Sequence, residues 1–180
     1  MINIRKIHEQ AMLKAVEAVS DTKVADYIVY GVHNPPEDDA TWVKSTMKRL
    51  EEHFAQVTIK QIRMDCQCGW CMDEKIELVK RLVKLTTNLE EFANHDEAKK
   101  AGLSFADGEL YLQFPFCPCP MLAEVDKLET NSWCQCTTGY SKVLFEQAFC
   151  CEVDVELLKS VKMGDDICLM KIVPLGAIWR

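Results

Sequence analysis

The sequence predicts an α/β protein of the α+β kind, with a helical N-terminal half packed on a C-terminal antiparallel sheet with helices. Three observations predict it. Apolar residues recur at helical spacing through most of residues 1–102. After Gly102 the pattern changes to short apolar runs separated by turn dipeptides. The chain has 180 residues, 48% of them hydrophobic, which is enough for a core that folds as one compact domain. Within it, a mostly helical region (1–102) precedes a mixed α/β, metal- and ligand-binding region (103–180).

Residues 2–20 read as an amphipathic helix with Ile4, Ile7, Ala11, Ala15 and Val19 on one face. Asp21 and Thr22 interrupt it. A short apolar segment, Val24 to Val32, leads to the breaker His33-Asn34-Pro35-Pro36. Asp38, Asp39 and Thr41 supply an acidic helix start, and the helix runs to about Phe54 with Trp42, Met47 and Leu50 inward. Val57, Ile59, Ile62 and Met64 fit a strand or a helix, with helix favoured. Asp73 and Glu74 open a helix to about Leu85, with Ile76, Val79 and Val83 on one face and Leu78, Leu82 and Leu85 beside it. Asn88 caps a helix from Leu89 to Lys100, ended by Gly102.

Leu103 to Phe105 and Leu110 to Phe114, joined at Asp107-Gly108, read as a two-residue β-hairpin. Cys117-Pro118-Cys119-Pro120 is irregular, because proline fixes φ and lacks a donor. Residues 121–132 are loop or irregular strand. A helix follows from about Thr138 to Phe149, with Tyr140, Leu144 and Ala148 on one side. Glu152 to Val161 and Ile167 to Val173 form a second hairpin around residues 163–166.

Charge narrows the function. Net charge is −7, so no basic surface is expected to attract a phosphate backbone or an anionic membrane, and nucleic acid is disfavoured as a partner. Charges interrupt the first nine residues, so neither a signal peptide nor an anchor is expected there. No apolar stretch approaches the roughly 20 residues of a spanning helix. A cytoplasmic location is expected, where thiols stay reduced.

That expectation gives weight to the ten cysteines. Six form Cys-x-Cys pairs: Cys66 with Cys68, Cys117 with Cys119, Cys134 with Cys136. In a reducing compartment such pairs point to metal or redox chemistry. Thiolates suit zinc and iron–sulfur clusters. Cys117, Cys119, Cys134 and Cys136 together would give a four-cysteine metal site, the last two just before a helix whose amides favour thiolate. Cys66 and Cys68 would complete a second site or replace one pair. Zinc is favoured over an iron–sulfur cluster, because the spacing is not the ferredoxin run of two-residue gaps. Cys150, Cys151 and Cys168 read as small buried hydrophobes. Cys68-Gly69-Trp70-Cys71 offers a rival, a dithiol redox pair of Cys68 and Cys71 at a helix start, although the strand that normally precedes such a motif is not expected. His8, His33, His53 and His95 are scattered, at no metalloprotease spacing. No P-loop or dinucleotide fingerprint is present.

Cys134, Gly139-Tyr140, Phe145, Phe149, Val155-Glu156-Leu157-Leu158, Gly164-Asp165 and Cys168 resemble the end of the four-vinyl-reductase-type small-molecule-binding domain. That core also occurs in phenol-sensing domains of bacterial regulators, and is similar to subunits of a Golgi vesicle-tethering complex. The separation of Cys134 from Cys168 matches that of two zinc-ligand cysteines in the phenol sensors. The resemblance implies an α/β fold with a pocket for a small apolar or aromatic ligand, a homodimer, and a zinc site to which Cys168 contributes. Two departures stand against carrying that site over whole. Ser160 occupies the place of a third ligand cysteine, and Leu157 that of a glutamate ligand. The chain, with its Cys66-x-Cys68-Gly69 cluster, also resembles uncharacterised cysteine-rich proteins of anaerobes related to the aminothiazoline-carboxylate hydrolase family. The function that follows is a small-molecule-binding or sensor-like module with a cysteine-held zinc, rather than an enzyme. A hydrolase of a small amide-like substrate, or a dithiol or iron–sulfur redox protein, is the alternative.

Overall fold

The computed structural model describes residues 3–32, 38–69 and 71–179. The breaker at His33 to Pro36, and Trp70 of the Cys68–Cys71 motif, lie outside the described residues. Helices and one four-stranded antiparallel sheet make an α+β fold. Its residues divide into two compact units, each discontinuous in sequence.

The first unit takes residues 1–68, 117–139 and 162–164. Four helices open it: α1 (Ile4–Glu17), α2 (Thr22–Tyr30), α3 (Asp39–His53) and α4 (Gln56–Asp65). Three begin on a side-chain cap that accepts an otherwise unpaired amide: Asn3 from Lys6, Asp21 from Val24, and Asp38 from Thr41. The apolar run Val24 to Val32 is mainly α2, whose capping aspartate Asp21 had read only as an interruption. The ambiguous segment after Val57 is helical, and Ile59 and Ile62 are fully buried on it. Met12, Val16, Ile28, Val29, Trp42 and Leu50 complete the core. The Trp42 indole donates to the Val29 carbonyl at 2.8 Å and meets Trp133 edge to face. Residues 117–134 are irregular apart from a 3-10 turn at Pro120–Leu122, yet Met121, Leu122, Val125 and Trp133 are buried.

The second unit takes residues 69–116, 140–161 and 165–180. Gly102, where the composition changes, lies inside it. It contains α5 (Met72–Leu85), α6 (Leu89–Asn94), α7 (Asp96–Lys100), β1 (Leu103–Ala106), β2 (Glu109–Phe114), β3 (Val153–Lys159) and β4 (Cys168–Pro174), in sheet order β1-β2-β4-β3. α8 (Gln135–Phe149) starts in the first unit and belongs to the second from Tyr140 onward. The first hairpin turns at Asp107 and Gly108, both with positive φ, as a primed turn requires. The segment expected as one helix over 89–100 is two. His95 is extended between them, and its Nδ1 accepts from the Glu97 amide to restart the helix. Gly102 has φ +92°, and a Cβ there would stand 2.2 Å from the Gln113 carbonyl oxygen, so only glycine lets the chain turn into β1.

On α5, Ile76, Val79 and Leu82 face inward, whereas Leu85, expected beside them, is 64% exposed at the helix end. Phe92, Phe145, Phe149, Leu110, Met170 and Ile172 are the centre of this unit's apolar core. The three phenylalanines are in ring contact.

Candidate functional site

Arg63 organises the interior of the first unit. It sits on the apolar stripe of α4, third in the series Ile59, Ile62, Arg63 and Cys66, and is completely buried. Its guanidinium carbon lies 3.9 Å from the centroid of the Trp133 ring. Nη2 donates to the Trp133 carbonyl at 3.0 Å. Nε and Nη1 are buried without a hydrogen-bond partner. Among the described residues no carboxylate pairs with it. A buried charge in that condition is costly unless an anion faces it.

Three buried thiols lie within its electrostatic reach. Cys66 follows Arg63 by one helical turn, caps the end of α4, and has its Sγ 3.6 Å from the Met12 Sδ. Burial pushes its thiol up to about 12, against the pull of Arg63. Cys119 and Cys136 are hydrogen-bonded to each other. The shared bond, with Arg63 assisting, lowers the pKa of Cys136, while the same bond and burial raise that of Cys119. The bond is thus polarised, with Cys136 the more readily ionised of the two. The first turn of α8 contributes to this polarity, because Cys136 is its second residue and helix N-termini favour thiolate.

The backbone that carries the pair is tightly determined. Pro118 and Pro120 flank Cys119, and the Cys119 carbonyl accepts from Leu122. Cys134 and Gln135 donate to the carbonyls of Asn131 and Ser132, which winds the chain into α8. Gly139 lets α8 approach α4. A Cβ at that position would fall 1.9 Å from the Met64 carbonyl oxygen.

The fifth member is His8 on α1, 2% exposed, with neither ring nitrogen partnered. Burial first, then Arg63, lowers its pKa to about 4, so the imidazole is neutral near pH 7. His8 and Met12 are four residues apart and share the inward face of α1 with Ala15 and Val16. Buried nitrogens without partners call for an explanation such as a bound ion or water.

Cys119 and Cys136 meet across pairs, and Cys66 joins their electrostatic neighbourhood. Cys134 is buried at the entry to α8, and Cys117 and Cys68 are half-buried, all in the first unit. Cys168 is buried on β4, opposite Phe114, in the second unit. Cys71, the first unit's neighbour in sequence, is exposed at the start of α5 with φ +53°. Among the described residues no three His, Cys, Asp or Glu side chains stand arranged as a preformed ion cage. Arg63, Met12 and Trp133 were not singled out from sequence. The signal for Arg63 was present as one charge on an apolar helical stripe, and for His8 as an imidazole in register with Met12, Ala15 and Val16.

The sequence model of one protein family matches residues 1–179. The chain belongs to DUF6144, a family of unknown function. No curated protein matches it significantly. For this DUF6144 member, function has to be argued from the thiol cluster itself. Apart from it, the second unit carries an open cleft of about 530 Å³ with Phe105, Ile178 and Trp179 in its walls. No helix among the described residues is long and apolar enough to cross a membrane.

Proposed function

We propose that this protein is a metal-binding, sensor-like module in which Cys119, Cys136 and Cys66 hold a soft divalent ion, zinc by preference. The observation that carries the reading is the buried Arg63, whose guanidinium has thiols and, among the described residues, no carboxylate to pair with. Three thiolates on a dication leave one negative charge, and Arg63 cancels it, so the closed site is neutral in a low-dielectric interior. Thiolate ligation is the usual chemistry of structural zinc, and the ion supplies folding free energy when bound. Binding draws Cys66 onto the Cys119–Cys136 pair and releases the protons of the two thiols that burial and hydrogen bonding keep protonated. The ligand set differs from the one the sequence suggested. Cys117, Cys134, Cys68 and Cys168 are outside it.

Metal analysis by mass spectrometry tests this on protein purified anaerobically without a metal-loaded column. Near-stoichiometric zinc that is lost in Cys136→Ser is the expected result. Iron with sulfide would replace zinc by a cluster, and protein free of metal after zinc dialysis would remove the reading.

A dithiol redox role is the second reading, favoured by the hydrogen bond between Cys119 and Cys136. Forming that disulfide passes two electrons to an added small-molecule disulfide and releases the proton the pair shares, and it leaves Arg63 without its anion, so oxidation is opposed by the same charge that favours metal. Alkylation after treatment with a small-molecule disulfide separates the readings. Full labelling of both thiols in unfolded protein would discard the redox one.

The small apolar or aromatic ligand is assigned to the cleft beside Phe105 and Trp179, whose indole is anchored by donation to the Val83 carbonyl. Quenching of tryptophan fluorescence by phenol, lost on Trp179→Ala, tests that assignment.

A further inference from the structure

We propose that Cys150 and Cys151 form a surface dithiol that binds a trivalent thiophilic centre, of the arsenite or organoarsenical class, through both sulfurs. The site lies in the second unit and does not depend on the metal reading of the buried thiols.

The two cysteines follow the last residue of α8. Cys150, expected as a small buried residue, is exposed instead, and Cys151 is half-buried. Cys150 has φ +54°, at a helix end where glycine is the usual residue. Its Sγ lies 3.8 Å from the Gln147 carbonyl oxygen, a weak contact that a ligand displaces. Cys151 is held from the other side. The Leu175 amide donates to the Glu152 carbonyl at 2.8 Å, which ties the C-terminal segment alongside. A Cβ at Gly176 would stand 2.9 Å from the Cys151 Cβ, so the missing side chain there leaves room for this thiol. One sulfur is thus packed in place and its neighbour is open to solvent.

Adjacency selects the ligand. Consecutive Cα atoms are about 3.8 Å apart, below the roughly 4.4–6.8 Å that an unstrained disulfide spans. A third atom between the sulfurs relieves that strain, so the pair suits a bridge better than a direct S–S bond. Structural zinc would need four protein donors. Among the described residues no third histidine, cysteine or carboxylate joins these two. A trivalent centre that carries one substituent of its own needs only two. Condensation of an arsenoso group with the pair forms two As–S bonds, breaks the As–O double bond and carries both thiol protons away in one water. No electron is transferred.

Retention of phenylarsine oxide by the reduced, full-length protein tests this, read by intact mass in excess glutathione, which strips adducts held by a single thiol. An equivalent should remain, and a small dithiol should remove it. Alkylation with iodoacetamide in urea should spare Cys150 and Cys151 only in the loaded protein. Cys150→Ser should weaken retention of that equivalent by about 10²–10⁴-fold, the loss expected when two-point attachment becomes one-point. Cys151→Ala, which adds no bulk beside Gly176, should do the same. The protection pattern is read on the unaltered protein, so it decides the matter even where a variant does not fold. Arsenical that protects other cysteines and leaves Cys150 and Cys151 alkylated would overturn the inference in favour of the buried thiols. Retention that falls in neither variant, or no retention by the unaltered protein, would overturn it outright.

Discussion

The two units are built to different rules. The second buries phenylalanines, leucines and branched residues between α5–α8 and an antiparallel sheet. Among the described residues it buries no side-chain nitrogen or oxygen without a hydrogen-bond partner. The first buries an arginine, a histidine, Trp133, Gln135 and Thr138 with atoms that find no partner, and among the described residues every such atom is in this unit. Folding alone does not account for that difference, because an apolar residue of similar volume at Arg63 or His8 would avoid the desolvation cost. Unsatisfied interior polarity of this density calls for an explanation, and the metal proposed above is one.

Substitutions should separate the two rules, and the largest effect belongs to the second unit. Phe145→Ala removes a ring packed on Phe149 and should cost about 3–5 kcal/mol. Urea unfolding should give the same loss with and without zinc. Zinc dependence of that loss would mean that the two cores are energetically one.

Acid should strike the first unit next. His8 is neutral when folded, with a pKa lowered to about 4, and has its ordinary value near 6.5 when unfolded. Between those values the unfolded chain binds the proton and the folded one does not, so stability falls as pH drops through this window. The loss approaches about 3 kcal/mol in metal-free protein. It should disappear in His8→Leu, as followed by urea midpoints at pH 7 and pH 4.5.

Gly139→Ala should have a smaller effect on stability, about 2 kcal/mol, because its Cβ would meet the Met64 backbone and α8 must retreat from α4. Its effect on zinc affinity should exceed its effect on stability, since Cys136 moves with α8. Equilibrium dialysis against zinc at a temperature where the variant is folded checks this. The smallest effect is a control in the second unit. Asn88→Ala removes the bond to the Glu91 amide and should cost about 1 kcal/mol without altering zinc binding.

Much of this architecture could be read from local chemistry. Asn88 caps a helix as expected, the acidic start at Asp38 and Asp39 opens the expected helix, and Asp107-Gly108 closes the expected hairpin. These features depend on a few neighbouring residues, so sequence suffices. The segment at His95 was misread because an extended residue between two short helices leaves the helical spacing almost unchanged. The site was legible only in part. The cysteine pairs drew attention to Cys66, Cys119 and Cys136. Cys119 and Cys136, both in the expected four-cysteine set, meet, one from each of two pairs. Arg63 and His8 were missed because charged and polar residues are read as surface. Only their place in an apolar stripe, judged with the helix in hand, shows that they point inward.

The discontinuity of the units has a consequence for synthesis. Arg63 and Trp133 are 70 residues apart in the chain, and translation at 5–20 residues per second separates them by about 4–14 s. During that interval the ribosome delivers α5–α7 and the first hairpin, which themselves wait for β3 and β4. The helices α1–α4 therefore emerge with a guanidinium and a cysteine on their inner faces and nothing yet to cover them. The first unit is complete in the chain at Gly164, ahead of the second, and Lys162, whose carbonyl accepts from the Leu128 amide at 2.8 Å, is among the last pieces placed in it. Until Trp133 arrives, Arg63 and Trp42 stand without the ring that meets them in the folded unit.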